Sequence, residues 1–286
     1  MRIQVLSDLH LETHPEYRPC RAPAADLLVL AGDIGSYQQG SRLAEPDYGL
    51  RRFAPRLGAP WSRVLYLPGN HEYDGRDYDQ THAELQAACD RLGIEWLERR
   101  TLVIEGVRFV GTTLWTDFDA LAQEALTRGD EDEVLRRRGK ALRAANYYLS
   151  RNTTLRHGQP MLAEALRDLG LDCQAWLAQA LAVPHAGPTV AVTHFAPTLR
   201  SADPRYGLVP GTAGFCNALD PLLSFADLWI HGHLHHRVDY EVRGERQGRP
   251  WRCRVVANPM GYAHKGEQEG FDDCFTVEVS SPAGAR

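Results

Sequence analysis

The chain has 286 residues, with 32 basic against 37 acidic side chains, a net charge of −5 and a pI near 6.2. That balance argues against a broad nucleic-acid or anionic-membrane surface. No apolar run approaches the ~20 residues of a membrane helix, and the six scattered cysteines form neither a C-x-x-C pair nor an evident disulfide framework.

The first residues enter a strand at once, Ile3–Leu6, with no leader-like run ahead of it. Reduced cysteines and that start point to a cytoplasmic protein. Further short apolar runs follow at Leu27–Leu30 and Val64–Leu67. After Pro68 the periodicity changes. Leu85, Ala88, Cys89 and Leu92 recur at helical spacing, and Gly93 is a fitting stop. Leu102–Ile104 and Val107–Val110 flank Glu105-Gly106 as a hairpin.

The stretch from about Leu114 to Arg156 is polar and helix-prone, with Arg136, Arg137, Arg138 and Lys140 clustered and Asn146, Tyr147 and Tyr148 near its end. It reads as a helical insertion at about 114–156, lying over a site as a lid; a solvated helical pair without function is the alternative. A helix is expected from Pro160 to about Leu181, burying Leu162, Leu166, Leu169, Trp176 and Leu177. The sheet resumes with Val190–Val192 and Leu228–Ile230. An antiparallel meander follows, made of Arg237–Val242, Arg252–Val256 and Phe275–Val279. Early βα alternation followed by antiparallel strands predicts an α/β fold of two packed sheets with helices outside, in one domain over 1–286.

Five of the apolar runs end in polar fragments: Ser7-Asp8-Leu9-His10, Ala31-Gly32-Asp33, Gly69-Asn70-His71-Glu72, Thr193-His194-Phe195 and Gly232-His233-Leu234-His235. Ligands of open α/β sheets bind beyond the carboxyl ends of the strands. Asp8, His10, Asp33, Asn70, His194, His233 and His235 are therefore expected to converge. Asp8 and His10 can turn onto one centre, and the two oxygens of Asp33 can bridge two cations ~3.5–4 Å apart. His233 and His235, one residue apart, can serve different ions. Mixed Asp/His/Asn ligation suits two divalent transition-metal ions, Mn, Fe, Zn or Co, better than Ca or Mg. His71 points away from the ions and is assigned as general acid or stabiliser of transition-state charge, with a histidine that only supports a ligand as the alternative. Glu72 is expected to orient a neighbour. His231 and His236 fall outside the ligand set.

These five motifs, in this order, resemble the calcineurin-like metallophosphoesterase superfamily. The resemblance implies a four-layer α/β/β/α sandwich. One metal would be held by Asp8, His10, Asp33 and His235, and a second by Asp33, Asn70, His194 and His233. It also implies a metal-bridging hydroxide as nucleophile and His71 assisting the leaving group. The protein-phosphatase branch continues Gly-Asp-x-x-Asp-Arg-Gly, whereas this chain continues Gly32-Asp33-Ile34-Gly35-Ser36-Tyr37. The Gly-His-x-His ending is closer to the bacterial branch that contains phosphodiesterases. Thr113–Phe118 and Asn258–Tyr262 also resemble bacterial members, which gives them no role. The expected partner is a small soluble phosphoester, monoester or diester, with specificity set by the lid and by the 195–214 loop that holds Arg200, Arg205 and Tyr206. A nuclease of the same superfamily and a non-catalytic scaffold are the alternatives.

Overall fold

Strands buried on both faces need no alternation of apolar and polar residues, so they read as continuous apolar runs. The first three are β1 (Arg2–Leu6), β2 (Leu27–Ala31) and β3 (Val64–Leu67), and nearly every residue in them is buried. This computed structural model describes residues 1–151 and 154–280. Helix α1 (Tyr78–Leu92) comes next. Its N-terminus is capped by the Asp77 carboxylate, which accepts from the amides of Asp79 (3.1 Å) and Gln80 (3.2 Å). It ends at Gly93, whose φ of 74° is the left-handed conformation that closes a helix. Strand β4 (Glu95–Trp96) and the hairpin β5 (Arg100–Ile104) with β6 (Val107–Thr112) follow.

Beyond them lie α2 (Gln123–Arg128), α3 (Glu131–Leu149), a small hairpin of β7 (Leu155–Arg156) and β8 (Gln159–Pro160), and α4 (Ala163–Ala182). The C-terminal part holds β9 (Thr189–Thr193), β10 (Leu228–His231), β11 (Val238–Arg246), β12 (Arg249–Ala257) and β13 (Thr276–Glu278).

One sheet has the order β13-β1-β2-β3-β4, and the other β11-β12-β10-β9-β6-β5. Both have parallel centres. Antiparallel strands lie only at edges: β13 in the first sheet, β11 and β5 in the second. Alternate residues of the central strands face opposite ways. Ile3, Val5, Val29 and Leu65 meet Phe109, Val190, Val192 and Ile230 of the other sheet in one buried cluster. The opposite faces pack on helices: Leu28, Leu30 and Tyr66 share a core with Leu85, Cys89 and Leu92 of α1, while Val110, Ala191 and Trp229 share it with Leu166, Cys173 and Leu177 of α4. The layers run helix, sheet, sheet, helix.

Three details differ from the sequence reading. The late strands do not make a meander in one sheet, because β13 crosses to pair with β1 while β12 runs parallel to β10. Helix α4 starts at Ala163 rather than Pro160, because Gln159 and Pro160 pair with Leu155 and Arg156. Its inward face is Leu166, Gly170, Cys173, Leu177 and Leu181, with Leu162, Leu169 and Trp176 half-buried. The 114–156 segment is not polar and solvated throughout either. Leu114, Trp115, Phe118 and Ala120 are buried in the main core, and α2 and α3 begin only after them. Asn152 and Thr153 of that segment lie outside the described residues.

Candidate metal centre

The loops leaving β1, β2, β3, β9 and β10 bring their polar residues together at the carboxyl ends of the parallel strands. Asp8, His10, Asp33 and His235 present ligand atoms that all lie within 4.8 Å of one another, and so do Asp33, His194 and His233. Asn70 joins the second group, with its Oδ1 3.2 Å from His194 Nε2. Asp33 belongs to both. All seven candidate ligands therefore converge, in two groups that share one carboxylate.

The backbone bends sharply to achieve this. Asp8, His10, Asp33, His233 and His235 all have positive φ, between 45° and 70°. Such conformations cost ~1–3 kcal/mol each and persist where the surroundings enforce them. Glycines let the loops touch. A Cβ on Gly69 would collide with Asp33 Oδ1, and one on Gly32, itself at φ 87°, would strike the His194 ring.

Each imidazole but one is aimed by a partner on its far nitrogen. His10 Nδ1 lies 2.9 Å from Glu12 Oε1, His194 Nδ1 lies 2.9 Å from the carbonyl of Ala31, and His235 Nδ1 lies 2.6 Å from Glu267 Oε2. These contacts fix which nitrogen faces inward. The inward nitrogens then crowd: His10 Nε2 is 2.9 Å from His235 Nε2, and His194 Nε2 is 3.2 Å from His233 Nδ1. Asp33 Oδ2, 3.2 Å from His194 Nε2, is buried without a hydrogen bond. Potential ligand atoms packed this closely on one point, with an unsatisfied carboxylate oxygen among them, fit a divalent cation.

Glu72 ties two loops together. Its carboxylate accepts from the amides of Ile34 (2.8 Å), Asp33 (3.2 Å) and Gly69 (2.9 Å), and from the Tyr66 hydroxyl (3.1 Å). The role of orienting neighbours expected for it is what these bonds do. Glu12 and Glu267 escaped the sequence reading. Asn258–Tyr262 also acquires a place: Met260 N and Gly261 N donate to the carbonyls of Ser7 (3.1 Å) and Asp8 (3.0 Å), and the Tyr262 ring stacks on His10 with centroids 4.2 Å apart. Thr113 supports the opposite flank, its hydroxyl donating to the Pro68 carbonyl at 2.8 Å.

Charge within the cluster is finely opposed. Burial lowers His10 and His233 well below 6.5, so both are neutral and available as ligands. Burial works the same way on His194 and His235, but Asp33 outweighs it at the first, and Asp8 with Glu267 at the second, holding each at about 9. Burial opposes ionisation of Asp33, yet His194 and His71 keep it below the usual carboxylate range. In the absence of metal, imidazolium protons balance the carboxylates.

His71 belongs to neither group. Its amide donates to Asp33 Oδ1 at 2.8 Å, and its Nδ1 sits 2.5 Å from Asp74 Oδ2. Burial would lower its pKa, but the charges of Asp74 and Asp33 raise it well above 6.5. About a quarter of the side chain is exposed beside the His10 ring, 5.0 Å away. His231 is buried behind the centre, its Nε2 2.9 Å from the Ser201 hydroxyl.

The three residues expected to bind substrate lie in the 195–214 loop, and two of them are held by acids. The Arg200 guanidinium pairs with Asp220 at 3.1 Å and that of Arg205 with Asp203 at 2.7 Å, while Tyr206 is two-thirds exposed under the Arg205 side chain. The Arg136–Lys140 cluster is likewise engaged within its own segment. Arg136 and Arg137 bind Glu133, and Arg138 binds Asp119. The part of the segment that does approach the centre is apolar. Ala144, Ala145, Tyr148 and Leu149 of α3 line a cavity whose wall includes Asn70 and His233.

Among the described residues, no helix is long and apolar enough to cross a membrane. The chain is 22% identical over 269 residues to the uncharacterized protein L509 of Acanthamoeba polyphaga mimivirus, covering 88% of this chain and 83% of that one. A solved crystal structure, 15% identical, covers 93% of this chain and 92% of its own with a TM-score of 0.45. The model of the calcineurin-like phosphoesterase family matches residues 1–237, the whole span from β1 through the last histidine of the cluster, and the chain belongs to that family.

Proposed function

We infer that this phosphoesterase binds two divalent transition-metal ions and hydrolyses a phosphomonoester or phosphodiester of a small soluble compound in the cytoplasm. The observation that carries the two-ion reading is Asp33, shared by both ligand groups and left with a buried oxygen that has no hydrogen bond. Asp8, His10 and His235 would complete one ion's shell, and Asn70, His194 and His233 the other's. Bound ions would polarise the phosphoryl oxygens and activate water at neutral pH.

The protein's own groups supply the rest. Glu12, Glu267 and the Ala31 carbonyl hold imidazole protons on the outward nitrogens, so the inward ones remain free to ligate. His71, kept protonated by Asp74 and Asp33, can give a proton to the departing alcohol oxygen. The nuclease alternative gains no support, because the arginines that favoured it are engaged by Glu133 and Asp119.

The test is elemental analysis after loading with Mn²⁺, together with turnover of nitrophenyl phosphate and bis(nitrophenyl) phosphate. Two equivalents of metal and turnover of either ester are expected. One equivalent would sink the dinuclear reading. Full loading without turnover of any ester would favour the scaffold.

A further inference from the structure

The cavity beside Asn70 and His233 differs in character from the centre it adjoins. It measures about 110 Å³, and among the described residues no Asp, Glu, Lys or Arg lines it. Its walls are aromatic: Trp115, Phe118, Tyr148, Phe195 and Phe215, with Leu166 at the side. Phe195 and Phe215 bring it against the second ligand group, their ring centroids 4.0 and 5.4 Å from that of His233. Tyr148 and Phe215 are 67% and 45% exposed, large apolar side chains left partly without cover.

We propose that this cavity holds the organic group of the substrate, an uncharged aromatic ring attached through oxygen to the phosphorus at the metal centre; the assignment rests on the phosphoesterase reading above. Continuity decides the occupant. A phosphoryl group ligated near Asn70 and His233 carries its ester substituent with it, and this cavity opens from the same two residues. Size limits it, because an apolar cavity of ~150 Å³ binds benzene, so ~110 Å³ with an open mouth takes one ring. Chemistry narrows it further. Five aromatic side chains offer faces and edges to a ring, whereas a sugar or a nucleobase would bury polar edges with few partners, which weakens binding. The apolar end of α3 thus does the selecting, and the Arg136–Lys140 cluster does not.

Two phosphonates with the same anionic head separate the cases: benzylphosphonate, whose methylene stands in for the ester oxygen, and 2-hydroxyethylphosphonate. Both are titrated calorimetrically into the Mn²⁺-loaded protein. Benzylphosphonate is expected to bind roughly 10–100-fold tighter, the gain from burying one ring. Gly214→Leu should bring that ratio toward 1 by filling the space, since a Cβ there meets only Phe118 at 3.4 Å and Ala145 at 3.8 Å. Phe215→Ala at the rim should reduce the ratio as well. Equal affinities in the unmodified protein would overturn the pocket assignment and leave the phosphoesterase reading standing. So would a ratio that both variants keep. Tighter binding of adenosine monophosphate than of benzylphosphonate would replace the aryl group with a nucleobase and overturn the proposal in its present form. If neither phosphonate binds protein of verified metal content, the phosphoesterase reading falls, and the pocket assignment falls with it.

Discussion

His71 Nδ1 and Asp74 Oδ2 are 2.5 Å apart, three residues from each other in a single 3₁₀ turn. The carboxylate fixes the ring and holds its proton. Burial alone would discharge His71, so the charges of Asp74 and Asp33 decide its protonation.

Asp74→Asn should therefore shift the alkaline limb of the pH–rate profile downward. In the proposed role His71 acts in its protonated form, and that form is lost as pH rises through its pKa. Without Asp74 the largest of the charges that raise the pKa is gone and the pKa falls, so the rate at pH 8 drops while the rate at pH 6 is less affected. His71→Ala should keep its metal and lose roughly 10²–10⁴ in rate, with less loss on nitrophenyl esters, which need little protonation. An unchanged alkaline limb in Asp74→Asn would remove the proton-holding role.

Asp33→Asn should lose at least one ion and most of the activity, since its carboxylate serves both ligand groups. Elemental analysis checks the first outcome. Normal stoichiometry with normal turnover would refute the sharing.

Metal uptake should release protons. Without ions, His194 and His235 titrate at about 9, against 6.5 for a free imidazole. Raised values stabilise the ion-free fold, fully below about pH 6.5, and that stabilisation is lost as pH climbs through 9. Cations compete for the same nitrogens. The Tm of ion-free protein is thus expected to fall between pH 6.5 and 9.5 while the apparent affinity for Mn²⁺ rises. A Tm that rises across that window without metal would contradict the proton balance.

The basic cluster of α3 should behave as structure. Arg136 is exposed and pairs with Glu133 on its own helix, so Arg136→Ala should leave stability nearly unchanged. Arg138 makes two 2.7 Å bonds to the buried Asp119, and its loss should cost about 1–3 kcal/mol. Neither should alter kcat on a generic ester. Urea titration and turnover measure the two effects separately.

Mild oxidation should join Cys20 to Cys274, whose sulfurs lie 3.3 Å apart near the surface. The neighbouring Cys274 thiol pushes Cys20 up to about 11, so the reactive thiolate is scarce at neutral pH and closure should quicken in alkali. The bridge would tie residues 254 positions apart and raise stability by about 5.5 kcal/mol on loop entropy. Thiol counting after treatment with oxidised glutathione, with Cys20→Ser as control, reads the result.

The sequence showed the central strands because burial on both faces makes them plain apolar runs, and it showed the candidate ligands because each follows closely after such a run. Glu267 was not legible. It meets His235 across 32 residues, through a turn that no local pattern announces. Glu12 lies only two residues from His10, but an acid at that spacing has many other uses. The arginine cluster was misleading for a local reason, since Glu133 stands three and four residues before Arg136 and Arg137, the spacing of pairs within a helix. Arg138 finds Asp119 only in the folded chain. Strand β13 was expected beside its neighbours in sequence, but three residues carry too little information to say which of two sheets they will join.

The left-handed backbone at Asp8, His10, Asp33, His233 and His235 has an evolutionary consequence. Five candidate ligands held in conformations that other residues relieve make this centre a standing burden on folding. A gene copy freed from catalysis could replace His233 or His235 with Gly and relax that backbone, so descent toward a partner-binding relative runs downhill in stability. Descent in the other direction would have to climb.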